Sequence, residues 1–147
     1  MSDTPIPILI KESLKAIRGS LGFAFQENGL DDLRPQDGHL LHYIADHPNC
    51  GATELQQLGC VSKSSVSFSL NLLAEKGFIE YLSSEEDRRE KRIIITKKGL
   101  LRNQKAKDVI ADMERSFTRD MSQEEMEILR ICLEKIIANA ERRKENE

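Results

Sequence analysis

Tryptophan is missing from the 147 residues, and large rings are scarce throughout, with five phenylalanines and two tyrosines. The chain's many charges and few β-branched runs lean the fold towards helix. No apolar stretch approaches the ~20 residues that a membrane span requires, so no membrane partner is expected. The opening run Met1–Ile10 has no basic segment and no small-residue cleavage site, which argues against a secretory leader. Three cysteines, Cys50, Cys60 and Cys132, are odd in number and far apart. They exclude a simple disulfide framework and suit a reducing compartment, so a cytoplasmic location is expected. Also missing are a nucleophile elbow, a phosphate-cradling glycine loop and any acid/base pair beyond those that charged helices supply by chance. The expectation is a protein that is not an enzyme and needs no cofactor.

What is present is charge, unevenly spread. The formal net charge is −3, which by itself argues against a nucleic-acid partner. The average conceals three unlike parts. Residues 1–61 carry four bases against eight acids, residues 62–105 ten bases against six acids, and residues 106–147 eight bases against eleven acids. Positive charge is therefore gathered in the middle third, and that asymmetry says more about partners than the total does.

Apolar spacing predicts a helix from about Pro7 to Gln26, on Ile10, Leu14, Ile17, Leu21, Ala24 and Phe25. Asn28-Gly29 ends it. A second helix opens with Pro35 at its first position, continues through Leu40, Leu41, Ile44 and Ala45, and stops before Pro48. Thr53-Glu-Leu-Gln56 reads as a capping box for a short third helix ending near Gly59. Ser62 caps a fourth, with Val66, Leu70, Leu73 and Ala74 inward and Gly77 as its terminating glycine. Two β-type runs, Phe78–Leu82 and Arg92–Thr96, flank a charged loop too long for a two-residue turn, so the loop projects. Thr96 then caps a long helix to about Thr118, striped by Leu101, Ala106, Val109, Ile110, Met113 and Phe117. Ser122-Gln-Glu-Glu125 is a second capping box, opening a last helix with Met126, Leu129, Leu133, Ile136, Ile137 and Ala140 on one side. Cys132 shares that spacing and is expected in the core. The polar tail Glu141–Glu147 is expected to fray. The fold class is mainly α with a small β-hairpin wing, a winged helix-turn-helix flanked by long helices.

The fourth helix is the centre of the functional reading. Ser62, Lys63, Ser64, Ser65, Ser67, Ser69 and Asn71 crowd one short segment, although serine is a poor helix-interior residue. Small hydroxyls allow close approach to DNA and can bond phosphates or base edges, while Lys63 adds charge. The projecting loop supplies the second element. An arginine at a hairpin tip can enter the minor groove, drawn by its negative potential. Asp87 and Arg89 are paired for that role, with Arg88, Lys91 and Arg92 available for phosphates.

Leu33-Arg-Pro-Gln-Asp37, Thr53-Glu-Leu55, Val61-Ser-Lys-Ser-Ser-Val66, Leu73-Ala-Glu-Lys-Gly-Phe-Ile79, Asp87-Arg-Arg89 and Ile93-Ile-Ile-Thr-Lys-Lys-Gly99, in that order and spacing, resemble the MarR family of bacterial regulators. The resemblance implies a homodimer on a palindromic site in double-stranded DNA, usually repressing transcription and released by a small aromatic effector. That effector would sit between the dimerisation helices and the DNA-binding lobe. It makes Ser62–Lys76 the recognition helix and Arg89 the wing arginine. It also divides the chain into a dimerisation helix (1–30), a DNA-binding lobe (31–99) and C-terminal dimerisation helices (100–147). Three features depart from the family pattern. Arg34 stands where a capping Thr or Ser is usual, Phe68 takes a position that is often polar or basic, and Gly59-Cys60 alters a turn. Phe68 is counted with the DNA-facing residues.

Two alternatives stay open. His39 and His42, three apart with His47 and Cys50 just beyond, have a workable chelating spacing, and Cys50, Cys60 or Cys132 could act as a redox switch if a thiol were accessible and acidified. Such a protein would be a metal- or thiol-sensing regulator. From another class comes a winged-helix module that meets an acidic protein partner.

Overall fold

The computed structural model describes residues 3–57, 63–83 and 91–146. Its elements run α1 (Ile6–Glu27), α2 (Pro35–Asp46), β1 (Cys50–Gly51), α3 (Ala52–Gln57), α4 (Lys63–Glu75), β2 (Ile79–Ser83), β3 (Lys91–Ile95), α5 (Lys97–Phe117) and α6 (Gln123–Glu145). The chain divides into two units, residues 1–110 and 111–147, with α5 running from one into the other. Among the described residues no helix is long and apolar enough to cross a membrane.

The core of the first unit is mainly aliphatic. Leu33, Leu40, Leu41 and Ile44 meet Leu55 of α3, Val66, Leu70 and Leu73 of α4, and Phe78, Ile79 and Ile93 of the sheet. Leu73 and Ile93 are fully covered. The three strands are ordered β1-β3-β2, all antiparallel. Ile79 faces Ile95 and Tyr81 faces Ile93 across the hairpin, so the period of two turns Ile79 and Ile93 into the core and leaves Arg92 and Leu82 outside. β1 was not expected. Its two residues pair with Ile93 and Arg92 and are reached through Asn49, whose φ of 63° is the left-handed conformation that asparagine tolerates.

Helix ends follow local chemistry. Gly77 (φ 78°) closes α4 in a Schellman arrangement, with Phe78 N donating to Leu73 O at 2.9 Å and Gly77 N to Ala74 O at 3.0 Å. Gly29 (φ 67°) ends α1 the same way, through Leu30 N to Phe25 O at 2.8 Å. Thr96 caps α5, accepting from Gly99 N at 3.0 Å while its hydroxyl donates to Gly77 O at 2.6 Å. The Ser122/Glu125 capping box forms in both directions, at 3.1 and 2.8 Å.

Several boundaries and placements differ from expectation. α3 begins at Ala52, so Thr53 lies in its first turn and not at its cap, because the short β1 pairing fixes the chain just before it. The expected end near Gly59 and the Ser62 cap lie outside the described residues. The strands are each shifted by a residue, since Phe78 is taken by the α4 terminus and Thr96 by the α5 cap. α6 runs to Glu145, correcting the frayed tail: Arg142, Arg143 and Lys144 fill its last turn, where cations suit the carbonyl end. Cys132 is exposed, not core. No residue of α6 is buried, and Ile128, Leu129, Ile131, Leu133, Ile136 and Ile137 all stand open. The apolar stripe is real, but no described residue of the second unit covers it. Within the second unit, Arg130 of α6 is ion-paired with Glu114 of α5.

Arg102 of α5 ties that helix to the α1–α2 loop. Its Nε donates to Asp32 Oδ1 and its Nη2 to Leu30 O, each at 3.0 Å, and Arg102 itself is buried.

Candidate nucleic-acid interface

α4 presents two faces. Val66, Ser69, Leu70 and Leu73 are buried, whereas Lys63, Ser64, Ser67, Phe68 and Asn71 are exposed and Ser65 is half-buried. The serine-rich helix is thus divided by its 3.6-residue period, and Ser69 is the exception to the polar-outside reading. Its hydroxyl donates to Asp37 Oδ1 at 2.6 Å.

Lys91 and Arg92 begin β3, both exposed. Lys91 Nζ lies 5.7 Å from the centre of the Tyr81 ring, a cation–π contact that steadies the lysine at the root of the wing. An open cleft of about 590 Å³ joins these elements, lined among others by Ser67 and Asn71 of α4, Thr53 and Glu54 of α3, and Tyr81, Lys91 and Arg92. Two of the expected α4 residues and both expected β3 cations therefore share one concave surface. Ser62, Asp87, Arg88 and Arg89 lie outside the described residues, so the wing-tip assignment is carried by the sequence.

Sequence reading missed the support beneath this surface. Asp37, fully buried, accepts from Arg34 Nε and Nη2, both at 2.8 Å, from the Arg34 backbone N at 3.1 Å, and from Ser69. Burial favours the neutral carboxyl, yet the bonds from Arg34 and Ser69 outweigh it and hold Asp37 below the ordinary aspartate range. Two signals pointed here: Asp37 precedes Leu40 and Leu41 at helical spacing, and Ser69 falls between Val66 and Leu73. Because the folded carboxyl is the stronger acid, its contribution to stability is present above the unfolded aspartate value and lost as pH falls through the folded one. Asp37→Asn is expected to lower Tm at neutral pH by roughly 5–10 °C, with the gap to wild type closing in acid. Thermal unfolding at a series of pH values checks this, and a gap independent of pH would refute the charged role.

The sensing alternatives meet specific geometry. Cys50 is buried, and burial together with the nearby Glu54 pushes its thiol up, away from the thiolate a redox switch needs. Cys60 lies outside the described residues. His42 Nε2 faces Asp46 at 3.3 Å, and the His47 ring stacks on Tyr43 at 3.8 Å. Among the described residues no group of three or more His, Cys, Asp or Glu side chains comes together to hold a metal.

Helices packed on a small antiparallel sheet, with a polar helix face beside a hairpin, define a winged helix-turn-helix. Residues 33–91 match the MarR family model, so the winged-helix lobe is similar to that family. Its fold is similar to E. coli MarR in the apo form (19% identity, 92% of this chain and 98% of that one, TM-score 0.75). It is also similar to Streptococcus pneumoniae FabT in complex with DNA (27% identity, 90% and 95%, TM-score 0.74). A third likeness is to the S. aureus MepR–DNA complex (19% identity, 93% and 99%, TM-score 0.77). No match is found among curated protein sequences.

Proposed function

We propose that this protein is a DNA-binding transcription regulator that acts as a homodimer on a palindromic duplex site, represses from it, and is released by a small aromatic effector. The observation that carries the reading is the shared cleft, where exposed Ser67 and Asn71 of the recognition helix meet Lys91 and Arg92 at the wing root. The family match and the DNA-bound neighbours support DNA-binding transcription regulation. In this reading α4 enters the major groove, with Lys63, Ser64, Ser65, Ser67, Phe68 and Asn71 towards the bases and Ser62 at its start. Asp87 aims Arg89 into the minor groove, while Arg88, Lys91 and Arg92 meet phosphates.

The dimer is supported by the exposed apolar side chains of α1 and α6, including Ile6, Leu9, Phe23, Ile128 and Ile137, since a monomer seldom leaves so many large apolar groups open. Two-fold symmetry would then match half-sites about one helical turn apart.

Arg89→Ala is expected to weaken binding by at least ~1 kcal/mol and to flatten its salt dependence, as read by fluorescence anisotropy of a labelled duplex over a salt series. Unchanged affinity and slope would remove Arg89 from the interface. Wild-type protein that binds no duplex even at low salt would favour a protein-interaction module.

A further inference from the structure

The N-cap of α2 is an unusual place for arginine. That position favours a side chain that accepts from the first free N–H groups, and a guanidinium accepts nothing. Asp37 supplies part of the missing capping, taking the Arg34 backbone N–H at 3.1 Å. The Arg34 side chain is committed elsewhere. Asp37 grips it along the Nε–Nη2 edge with two 2.8 Å bonds, and Ser69 Oγ of α4 lies 3.4 Å from Nη2. A two-bond grip of this kind fixes the plane of the guanidinium as well as its place.

The plane is set over Phe68. The Arg34 Cζ stands 4.8 Å from the centre of that ring. Phe68 is 58% exposed, a large apolar group on an otherwise small and polar outer face. Its neighbours at helical spacing are Ser64 and Asn71, so Arg34 reaches the surface offered by α4. Nearly half of the arginine side chain stays accessible, and its Nη1 amino group has no partner among the described residues. Lys63 is the single base that α4 contributes.

We propose that Arg34 is a DNA-phosphate contact, a cation delivered from the α2 N-cap onto the recognition-helix face, gripped by Asp37 and held over the Phe68 ring. The inference rests on the DNA-binding reading above. Buried Asp37 and Ser69 make the placement rigid, because both are anchored in the packed junction of α2 and α4. Phe68 acts as the platform, which explains an exposed ring where the family pattern is often polar or basic. The free Nη1 edge then donates to one phosphate of duplex DNA, and the contact adds affinity without reading sequence.

Arg34→Ser is the deciding variant, since serine is a good N-cap and removes the cation. Because it also takes two bonds from buried Asp37, it is compared with wild type at a temperature where both show native circular dichroism. Binding of a labelled random-sequence duplex and of a selected site is measured across a salt series for wild type and variant. The expected result is about fivefold weaker binding per protomer at ~0.15 M salt, equal for both duplexes, with the log–log salt slope smaller by about one per protomer. An unchanged slope, or a loss confined to the selected site, overturns the proposal. Asp37→Asn adds a second arm when its circular dichroism spectrum is native. It removes a negative charge, so mere electrostatics predicts tighter binding, whereas loss of the grip predicts weaker binding and a smaller slope. Tighter binding overturns the positioning role. Failure of wild type to bind either duplex is a different result, because it removes the DNA-binding reading itself.

Discussion

Gly99→Ala is expected to destabilise the DNA-binding lobe by about 3 kcal/mol or more, and Gly99→Val to prevent its folding. A Cβ at residue 99 would stand 2.1 Å from Phe78 O and 2.7 Å from Ile95 Cγ1. The carbonyl is backbone and cannot swing aside. It is also the acceptor for Thr96 N at 2.9 Å, so displacing it opens the junction of α4, the wing and α5. Gly99 N is in turn bonded to the Thr96 hydroxyl that caps α5. A fall in Tm of roughly 10 °C or more is anticipated for the alanine variant. Gly38 is the internal control. It lies within α2 with nothing inside 4 Å of a built Cβ, so Gly38→Ala should stabilise by about 0.5–1 kcal/mol. Thermal unfolding of the two variants side by side checks both signs, and a Gly99→Ala protein as stable as wild type would contradict the packing described.

The second large effect concerns the C-terminal helix. Leu129→Glu combined with Ile136→Glu places charge on a face that is open in the single chain, at positions 43% and 38% exposed. Such a change should leave each chain folded. If the apolar face of α6 is the dimer contact, the protein becomes monomeric in light scattering, and duplex affinity falls by at least ~100-fold because the second half-site is no longer tethered. A dimer that survives both glutamates would place the contact elsewhere.

Local signals were the readable part of this fold. Pro35, Gly77, Thr96 and the Ser122/Glu125 box each act within a few residues, and each sits where its chemistry requires. The period of 3.6 located the inner faces of α2 and α4 for the same reason. β1 was illegible because two residues, Cys50 and Gly51, become a strand only by pairing with Ile93 and Arg92, some forty positions away. Ser69 was misplaced by weighing residue type above position: its spacing from Val66 and Leu73 puts it inside, where Asp37 waits for its hydroxyl. Cys132 was misplaced in the opposite way. Its stripe is apolar, but a stripe says only that a face seeks cover, not that the same chain supplies it. Arg34 stood out as a departure from the family pattern, and its purpose became visible only with Asp37 and Phe68 in place.

The central claim is that α4 and the wing form one DNA-binding surface. Selection of bound sequences from random duplexes, followed by binding of the selected site over a salt series, tests it most directly. The account predicts enrichment of a palindrome with half-sites about one helical turn apart and affinity that falls steeply with salt. Failure to enrich any sequence, with no binding to duplex even at low salt, would contradict it.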